Sequence, residues 1–347
     1  TTLKEPVPLE PGETRSTCKP ATIIICARNE AENLRQNLPA VLEQQYPEFE
    51  VVVVDDDSTD DTPAVLENFQ KKYPQLQVLR CSPKTGPGKK PALAKGIAAA
   101  RFEHLVFTDA DCRPAGAYWL QGLLAAFGRS PEIEIVLGYG PYFREAGLLN
   151  KWIRFETVQT AMQYFSFALA GQPYMGVGRN LAWERGLFER VGGFEAHASI
   201  PSGDDDLLVN AAATDRNTAV CLNPETFMYS RAKTSWKDWL RQKRRHLGAG
   251  VRYRIRHRVL LGMLALTHWL HYFLLPILLL TNFGTISVAF YAVRMASAFP
   301  INRKILRRFR EEQLLIWFPL FDAFLALYYA AFVPRFLISS DDLISWK

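Results

Sequence analysis

The stretch LVFTDAD at residues 105–111 decides the fold class of this chain of 347 residues. It joins the short apolar run of a buried strand to two carboxylates, Asp109 and Asp111, which come where the run ends. Two similar runs lie earlier in the chain. Residues 22–26 lead into ARNE at 27–30, and residues 51–54 lead into DDDSTD at 55–60. Polar and charged residues therefore follow the same end of each predicted strand.

These strands alternate with segments of helical period. Further strands are predicted at 77–79 and 133–137, and helices at 31–45, 62–73 and 91–101. The alternation predicts an α/β fold with a doubly wound, mostly parallel sheet, in which ligands bind beyond the carboxyl ends of the strands. Neither a Gly-x-Gly-x-x-Gly motif nor a phosphate loop with Lys-Ser/Thr follows the first strand, which disfavours dinucleotide-binding and P-loop proteins.

The C-terminal third has a different character. Residues 1–227 carry 22 Lys and Arg against 29 Asp and Glu, whereas residues 228–347 carry 19 against 6. No charged residue occurs from Val259 to Val293, which corresponds to roughly 50 Å of helix and exceeds one bilayer crossing. A break at 281–284 predicts transmembrane helices at about 259–280 and 285–300. A third apolar stretch, at about 313–333, either spans the membrane, re-enters it or lies at its interface.

Basic segments flank the apolar stretches. Residues 243–258 hold seven Lys and Arg and no acid, and a linker at 302–310 holds five more. Basic loops stay on the cytoplasmic side, so we expect an integral inner (cytoplasmic) membrane protein whose α/β domain is cytoplasmic. We divide the chain into a linker at 1–20, an α/β domain at 21–250 and a membrane region at 251–347. Because Thr1 is not an initiator Met, we expect either a removed membrane segment before it or a trimmed terminus.

Three acidic clusters indicate chemistry at the strand ends. Asp109 and Asp111 can both reach a hard divalent cation that also binds phosphate oxygens, although a solvated turn would contain the same residues. The adjacent charges of Asp55-Asp56-Asp57 cost free energy unless a cation, a ligand or water compensates them. The cluster Asp204-Asp205-Asp206 precedes an apolar helix, so helix N-capping is the alternative interpretation.

Eight short motifs follow one another along the chain: ARNE (27–30), VVDDDSTD (53–60), GKKPAL (88–93), TDAD (108–111), GRN (178–180), GGF (192–194), SGDD (202–205) and QKRRH (242–246). In this order they resemble the family 2 glycosyltransferases of GT-A fold. Within this family, the chain resembles the membrane-bound branch, which contains cellulose, hyaluronan and poly-N-acetylglucosamine synthases and lipid glycosyltransferases. The resemblance covers roughly residues 20–250, and the family usually has Gly where this chain has Asp57.

The resemblance implies a site for a nucleotide diphosphate sugar, expected to be a UDP-sugar, and for a divalent cation, Mg²⁺ or Mn²⁺. Asp111 is favoured as the direct ligand of the cation, with Asp109 beside it. Lys89, with Lys90 as the alternative, would lie near the base or the phosphates, unless it is a solvated loop lysine. Lys243 and Arg244 would belong to a juxtamembrane basic stretch. The nucleotide-binding residues implied by the family are Ala27, Arg28, Glu30, Asp56, Lys89, Asp109, Gln242 and Arg245.

The resemblance also implies an inverting transfer. Asp205 would be the general base that takes the proton of the acceptor hydroxyl. A slip of one residue in the motif would give this role to Asp204 or Asp206. The acceptor side would be lined by Gly178, Arg179, Asn180, Trp183 and His246, with ordinary structural use as the alternative for the GRN motif and Trp183.

The sequence thus predicts an inverting glycosyltransferase whose acceptor is a lipid-linked or membrane-embedded hydroxyl, with no nucleic-acid partner. His246 stands where the polymerising members have Trp, so stacking on the acceptor sugar should be weaker. Two or three transmembrane helices are few to enclose a polymer, so we expect one or a few added sugars. The alternatives are a processive polysaccharide synthase of the same family, a membrane-tethered nucleotidyltransferase and a non-enzymatic sugar-binding subunit.

Overall fold

The computed structural model describes residues 18–84, 86, 88–200 and 202–338, except the side chains of residues 246, 247 and 331–338. Seven strands form the central sheet in the order β3-β2-β1-β4-β7-β6-β8. Their bounds are β1 (Ala21–Ala27), β2 (Phe49–Asp55), β3 (Leu76–Arg80), β4 (His104–Asp109), β6 (Ile135–Leu137), β7 (Leu181–Glu184) and β8 (Thr218–Val220). Strands β5 (Arg113–Pro114) and β9 (Met228–Tyr229) form a separate antiparallel pair.

The sheet is mostly parallel, as predicted. Strands β1 to β4 pair in parallel, β6 also pairs with β8 in parallel, and β7 runs antiparallel to β4 and β6. The register sets Ala27 beside Asp55 and Cys26 beside Asp109. The carboxyl ends of β1, β2 and β4 therefore lie side by side, which brings the polar residues after these strands together.

Helices cover both faces of the sheet, because alternate residues of each strand point to opposite sides. Ile24 of β1 lies in one apolar cluster with Leu93 of α3, whereas Ile23 lies in a second cluster with Leu34 of α1. The helices are α1 (Ala31–Leu42), α2 (Thr62–Lys72), α3 (Lys90–Ala99), α4 (Trp119–Leu124), α5 (Leu148–Leu169), α6 (Arg185–Arg190), α7 (Asp206–Ala212), α8 (Trp236–Gly250), α9 (Ile255–Leu279), α10 (Gly284–Arg308) and α11 (Phe318–Ile338).

Three helices of the described chain, α9, α10 and α11, are long and apolar enough to cross a membrane. A break between α9 and α10 occurs where the sequence predicts it, at 281–284. The prediction of a linker at 302–310 is wrong, because α10 continues to Arg308. Leu306 is fully buried, and Arg307 and Arg308 lie at the C-terminal end of the helix dipole, where positive charge is favourable.

Helix α11 packs against the α/β domain. Its Phe321 and Tyr328 rings lie 5.6 and 6.1 Å from the ring of Trp152 in α5, measured between ring centres. Just before α11, Glu311 forms a buried ion pair with Arg154 of α5. One face of α11 is therefore attached to the domain along at least two turns.

Candidate active site

The loops after β1 and β2 are joined by hydrogen bonds. The Asn29 N–H donates to Ser58 Oγ at 3.0 Å, and Asn29 Oδ1 accepts from the Thr59 N–H at 2.8 Å. Asn29 and Asp57 have left-handed φ angles of 57° and 63°. This conformation suits Gly and is tolerated by Asn and Asp, which explains how Asp57 can stand where the family usually has Gly.

Asp56 is buried at the end of β2 and forms an ion pair with Lys84. The Asp56 N–H donates to Ala27 O at 2.8 Å, so these two candidate nucleotide-binding residues are in contact. Lys84 also donates to Gly88 O at 2.8 Å, which ties the loop between β3 and α3 to Asp56. Lys84 is not among the predicted site residues. The signal that could have identified it is a lysine in a loop rich in Gly and Pro, in a chain whose neighbouring strand ends in three aspartates.

Glu30 lies near the carboxylates that follow β4. Asn33 Nδ2 donates to Glu30 Oε2 at 2.5 Å. Burial raises the pKa of Glu30, the bond from Asn33 opposes this change, and the charges of Asp111 and Asp109 add to it. Arg28, in the same loop, has a buried Nε without a hydrogen-bond partner among the described residues.

The candidate cation site is at the end of β4. Asp109, Asp111 and Cys112 each offer one ligand atom, and these atoms lie within 4.8 Å of one another. Lys89 Nζ lies 3.0 Å from Asp109 Oδ1 and also 3.0 Å from Asp204 Oδ2. Burial acts to raise the pKa of Asp109, but Lys89, together with the charges of Arg179 and Arg245, holds this pKa below its usual value. Burial and the charge of Asp109 raise the pKa of Asp111, which is the electrostatic setting that a divalent cation would relieve.

Lys90 does not share the position of Lys89. Its ammonium lies 2.8 Å from the carbonyl oxygens of His197 and Ile200 and 2.7 Å from that of Ser202. An ammonium has three N–H donors, so all of them are used in this contact. Of the two candidate lysines, Lys89 is therefore the one that faces the acidic site.

Asp205 is the N-cap residue of α7. Its Oδ2 accepts from the Gly178 N–H at 2.5 Å, and its Oδ1 accepts from the Asp206 N–H at 2.8 Å. Burial, followed by the charge of Asp204, raises the pKa of Asp205 to about 6. Asp206 instead accepts from the Tyr253 hydroxyl at 2.7 Å, and burial raises its pKa to about 8. Of the three consecutive carboxylates, Asp205 alone combines an ionised state at neutral pH with no ion pair in the described structure.

Gln242 and Arg245, which belong to one sequence motif, both lie on α8. Arg245 O accepts from Ser202 Oγ at 3.3 Å, so α8 contacts the loop that precedes Asp204. Lys243, expected in a juxtamembrane basic stretch, contacts the α/β domain: its side chain is 16% exposed and its Nζ lies 2.5 Å from Glu156 Oε2 of α5. This ion pair fixes α8 on the domain.

The side chains of two predicted acceptor residues, Asn180 and Trp183, are buried. Asn180 Oδ1 accepts from Trp119 Nε1 at 3.0 Å, and its Nδ2 donates to two backbone carbonyl groups at 2.8 Å. Trp183 is 1% exposed, and its ring centre lies 4.0 Å from that of Phe107. Internal hydrogen bonds account for the Asn180 side chain, and packing accounts for the Trp183 ring, whose Nε1 is buried without a hydrogen-bond partner among the described residues. The acceptor role of both residues stays a prediction.

Arg179 and Gly178 have different surroundings. Arg179 is partly buried, and it donates to Gly140 O and, at 3.0 Å, to Ser230 Oγ. Gly178 contacts the candidate base directly, because a Cβ at this position would lie 2.9 Å from Asp205 Oδ2. The side chain of His246 lies outside the described residues.

The fold and the strand-end carboxylates define a GT-A-like α/β domain. A mannosyltransferase from Pyrobaculum calidifontis, PcManGT, solved with GDP-Man and Mn²⁺, has the same fold: its TM-score is 0.57 at 20% identity over 92% of this chain and 88% of that chain. Residues 22–186 match the family described as "Glycosyl transferase family 2". Residues 22–186 therefore form a family 2 glycosyltransferase domain, which confirms the resemblance found in the sequence.

Curated relatives belong to the same class of enzyme. "Probable glycosyltransferase YdaM" of Bacillus subtilis is 27% identical over 65% of this chain and 53% of its own length. The "Poly-beta-1,6-N-acetyl-D-glucosamine synthase" of Staphylococcus epidermidis is 28% identical over 38% of this chain and 31% of its own length. The "Beta-monoglucosyldiacylglycerol synthase" of Synechocystis is 33% identical over 32% of this chain and 24% of its own length. The chain thus spans about half, or less, of the length of these relatives.

Proposed function

We propose that this chain is an inverting glycosyltransferase in which Asp205 is the general base and Asp111, with Asp109, holds a divalent cation. The observation that carries this proposal is the series of contacts from Asp109 through Lys89 to Asp204, the residue next to Asp205. It brings a cation site and a base into one cluster. In the transfer of a sugar from a nucleotide diphosphate to a hydroxyl, the base would take the proton of the hydroxyl and the cation would neutralise charge on the departing diphosphate.

Asp205 would take the proton of the acceptor hydroxyl while the acceptor oxygen bonds to the anomeric carbon and the bond to the diphosphate breaks. The N–H groups of Gly178 and Asp206 fix the orientation of the carboxylate. A pKa of about 6 leaves Asp205 ionised at neutral pH and still basic enough to accept a proton. Because the displacement is single, an α-linked donor would give a β-linked product.

The residues of the candidate cation site fit a hard divalent ion. Carboxylate oxygens are the ligands that Mg²⁺ and Mn²⁺ prefer. Burial, followed by the charge of Asp109, raises the pKa of Asp111, and such an ion would compensate both effects. A bound ion would supply charge neutralisation on the departing diphosphate. The presence of Mn²⁺ in the structure of the mannosyltransferase PcManGT is consistent with this proposal.

We propose a UDP-sugar as the donor. Glu30 and Asp56 would accept hydrogen bonds from the base and the ribose, and Arg245, together with Gln242, would bind the diphosphate, for which a guanidinium group is well suited. Since PcManGT was solved with GDP-Man, a GDP-sugar is the alternative donor.

We propose that α9 and α10 cross the inner membrane as a hairpin, with the catalytic domain on the cytoplasmic side. Their side chains are mostly exposed and apolar, for example Leu266 and Phe290 at 53% and 71%. Helix α11 would lie at the interface, since one face packs on Trp152 while Leu320 and Leu327 of the other face are exposed. A reporter fused after α11 should then be cytoplasmic, and a reporter on the outer side would mean that α11 crosses the membrane.

The acceptor would be a lipid-linked or membrane-embedded hydroxyl, because the hairpin follows directly after α8, which carries Arg245. One relative is named for a glucosyldiacylglycerol product. A second candidate function is a processive polysaccharide synthase, since another relative is named as a poly-N-acetylglucosamine synthase. Mass spectrometry of the product separates the two: a ladder of many sugars on one acceptor would favour the synthase.

A screen of UDP- and GDP-sugars with the detergent-purified chain tests the proposed function. We expect release of nucleotide diphosphate from at least one UDP-sugar, in the presence of Mn²⁺ or Mg²⁺ and a lipid acceptor. Chelation should stop this release. Failure to bind or cleave any UDP- or GDP-sugar with either ion present would contradict the proposal.

A further inference from the structure

Lys90 has an environment that is unusual for a lysine. Its side chain is 3% exposed, and its ammonium donates to three backbone carbonyl groups, those of His197, Ile200 and Ser202. Burying a charge costs free energy unless hydrogen bonds replace the lost water. A long apolar side chain could fill this space without that cost, so the presence of Lys90 points to a role for its three donors.

The three carbonyl groups belong to one loop that leads into the candidate base. The Ile200 N–H donates to His197 O at 3.1 Å, so residues 197–200 form one turn, and the carbonyl groups of its first and last residues both accept from the ammonium. Gly203, at a φ of 82°, then turns the chain into Asp204. The residues that bind Lys90, up to Ser202, therefore come directly before the segment in which Asp205 begins α7.

Lys90 itself is held by a rigid support. It is the first residue of α3, whose Leu93 and Ile97 are buried in the core. A Cβ at Gly96 would lie 2.9 Å from Ile24 Cγ2 of β1, so α3 is packed closely on the sheet. The ammonium thus fixes the loop relative to the same sheet that carries Asp109.

The neighbouring residue links the same helix to the cation site. Lys89 contacts Asp109 and Asp204, whereas Lys90 contacts the loop before Asp204. We infer that Lys90 is a positioning residue of the proposed transfer: it sets the loop so that Asp205 lies beside the cation site. This inference rests on the proposed function.

The test compares Lys90→Met and Lys90→Gln with Lys95→Met. Lys95 is the matched control, because it is also on α3 but is exposed and donates to one carbonyl group, Arg80 O, at 2.5 Å. The full chain in detergent would be assayed for kcat of transfer, for the Kd of UDP with Mn²⁺ and for thermal unfolding. We expect Lys90→Met to lower kcat about a hundredfold while the Kd of UDP changes less than about threefold, because a displacement of about 1 Å can have that effect on rate.

Lys90→Gln, which keeps two N–H donors, should recover part of the lost kcat at an unchanged Kd, and Lys95→Met should match the wild type. A kcat within threefold of wild type in Lys90→Met would overturn the inference. So would a loss of UDP binding in proportion to the loss of kcat, or a failure of both Lys90 variants to fold, since each would mean a purely structural role. Absence of donor binding in the wild type would instead reject the proposed function.

Discussion

Replacing Asp205 with Asn tests the assignment of the general base most directly. The amide oxygen of Asn can accept one of the two hydrogen bonds that the Gly178 and Asp206 N–H groups donate to the carboxylate. The amide nitrogen must face the other N–H group, which removes one hydrogen bond to a charged acceptor, worth about 1.5–3 kcal/mol. Because Asn is neutral, the free-energy cost of burying the carboxylate charge is removed, and this offsets part of the loss. We therefore expect Asp205→Asn to fold.

The expected effect on rate follows from the loss of the proton acceptor. Removal of a general base lowers rates by about 10²–10⁴, or about 2.7–5.5 kcal/mol of activation free energy. Nucleotide binding should change less than about threefold, because proposed nucleotide residues such as Glu30 and Asp56 follow β1 and β2, whereas Asp205 begins α7. In the wild type, the transfer rate should rise with pH through about 6, since Asp205 must lose its proton to act. This acid limb should be absent from any residual activity of Asp205→Asn.

Transfer and UDP binding would be measured on the same purified protein, by release of the diphosphate product and by calorimetry. Asp206→Asn is the matched control: its pKa of about 8 leaves it mostly neutral at pH 7, and an amide oxygen can still accept from Tyr253. Its activity should stay within about threefold of wild type. Near wild-type transfer by Asp205→Asn, with a collapse in Asp204→Asn, would refute the assignment and move the base by one residue.

Other parts of the molecule yield three shorter predictions. Asp111→Asn should weaken UDP binding at least tenfold with Mn²⁺ and little in excess chelator, because only binding through the cation is lost; equal weakening by calorimetry in both conditions would exclude a ligand role. Arg154→Met should lower the free energy of unfolding by about 3 kcal/mol, since it leaves the buried Glu311 with only the exposed Arg144, at 3.9 Å, as an ion-pair partner; thermal unfolding should show recovery when Glu311→Met is added. Asp57→Gly should alter stability by less than about 1 kcal/mol, because relief of the left-handed φ offsets the lost hydrogen bond from Ser82; a larger loss in denaturant unfolding would argue against that balance.

The sequence predicts strands well where apolar runs are long and end in polar residues. β1, β2 and β4 have this pattern, and the predicted runs at 22–26, 51–54 and 105–108 lie within them. Strand β7 could not be predicted in the same way. Leu181–Glu184 is only four residues long, follows the GRN motif directly and leads into α6 without a turn residue, so neither its period nor its bounds are visible. The antiparallel insertion in the sheet is therefore a result of tertiary pairing.

The residues of the candidate site also differ in how far the sequence predicts their positions. The positions of Asp109 and Asp111 follow from topology, because the ends of parallel strands meet at one edge of the sheet. The partners of lysine side chains do not follow from sequence, since the flexible four-carbon stem lets consecutive residues reach different elements. Lys89 and Lys90 are adjacent in the chain, yet one faces the carboxylates and the other enters the loop before Asp204.

The segment between β3 and α3 connects the parts of the proposed site. Lys84 pairs with Asp56 on the nucleotide side, and Lys89 joins the cation site to the cluster of the base. Gly88 lies between these lysines at a φ of 70°, a backbone conformation that lets the chain reverse direction and point the two ammonium groups at different strand ends. A substitution that changes the backbone here should therefore affect donor binding and acceptor deprotonation together, whereas a change at Asp56 should affect donor binding alone. UDP affinity and the rate of transfer at saturating donor would therefore be measured in Gly88→Val, and we expect both to fall. A variant in which only one of these two quantities falls would mean that the segment serves a single part of the site.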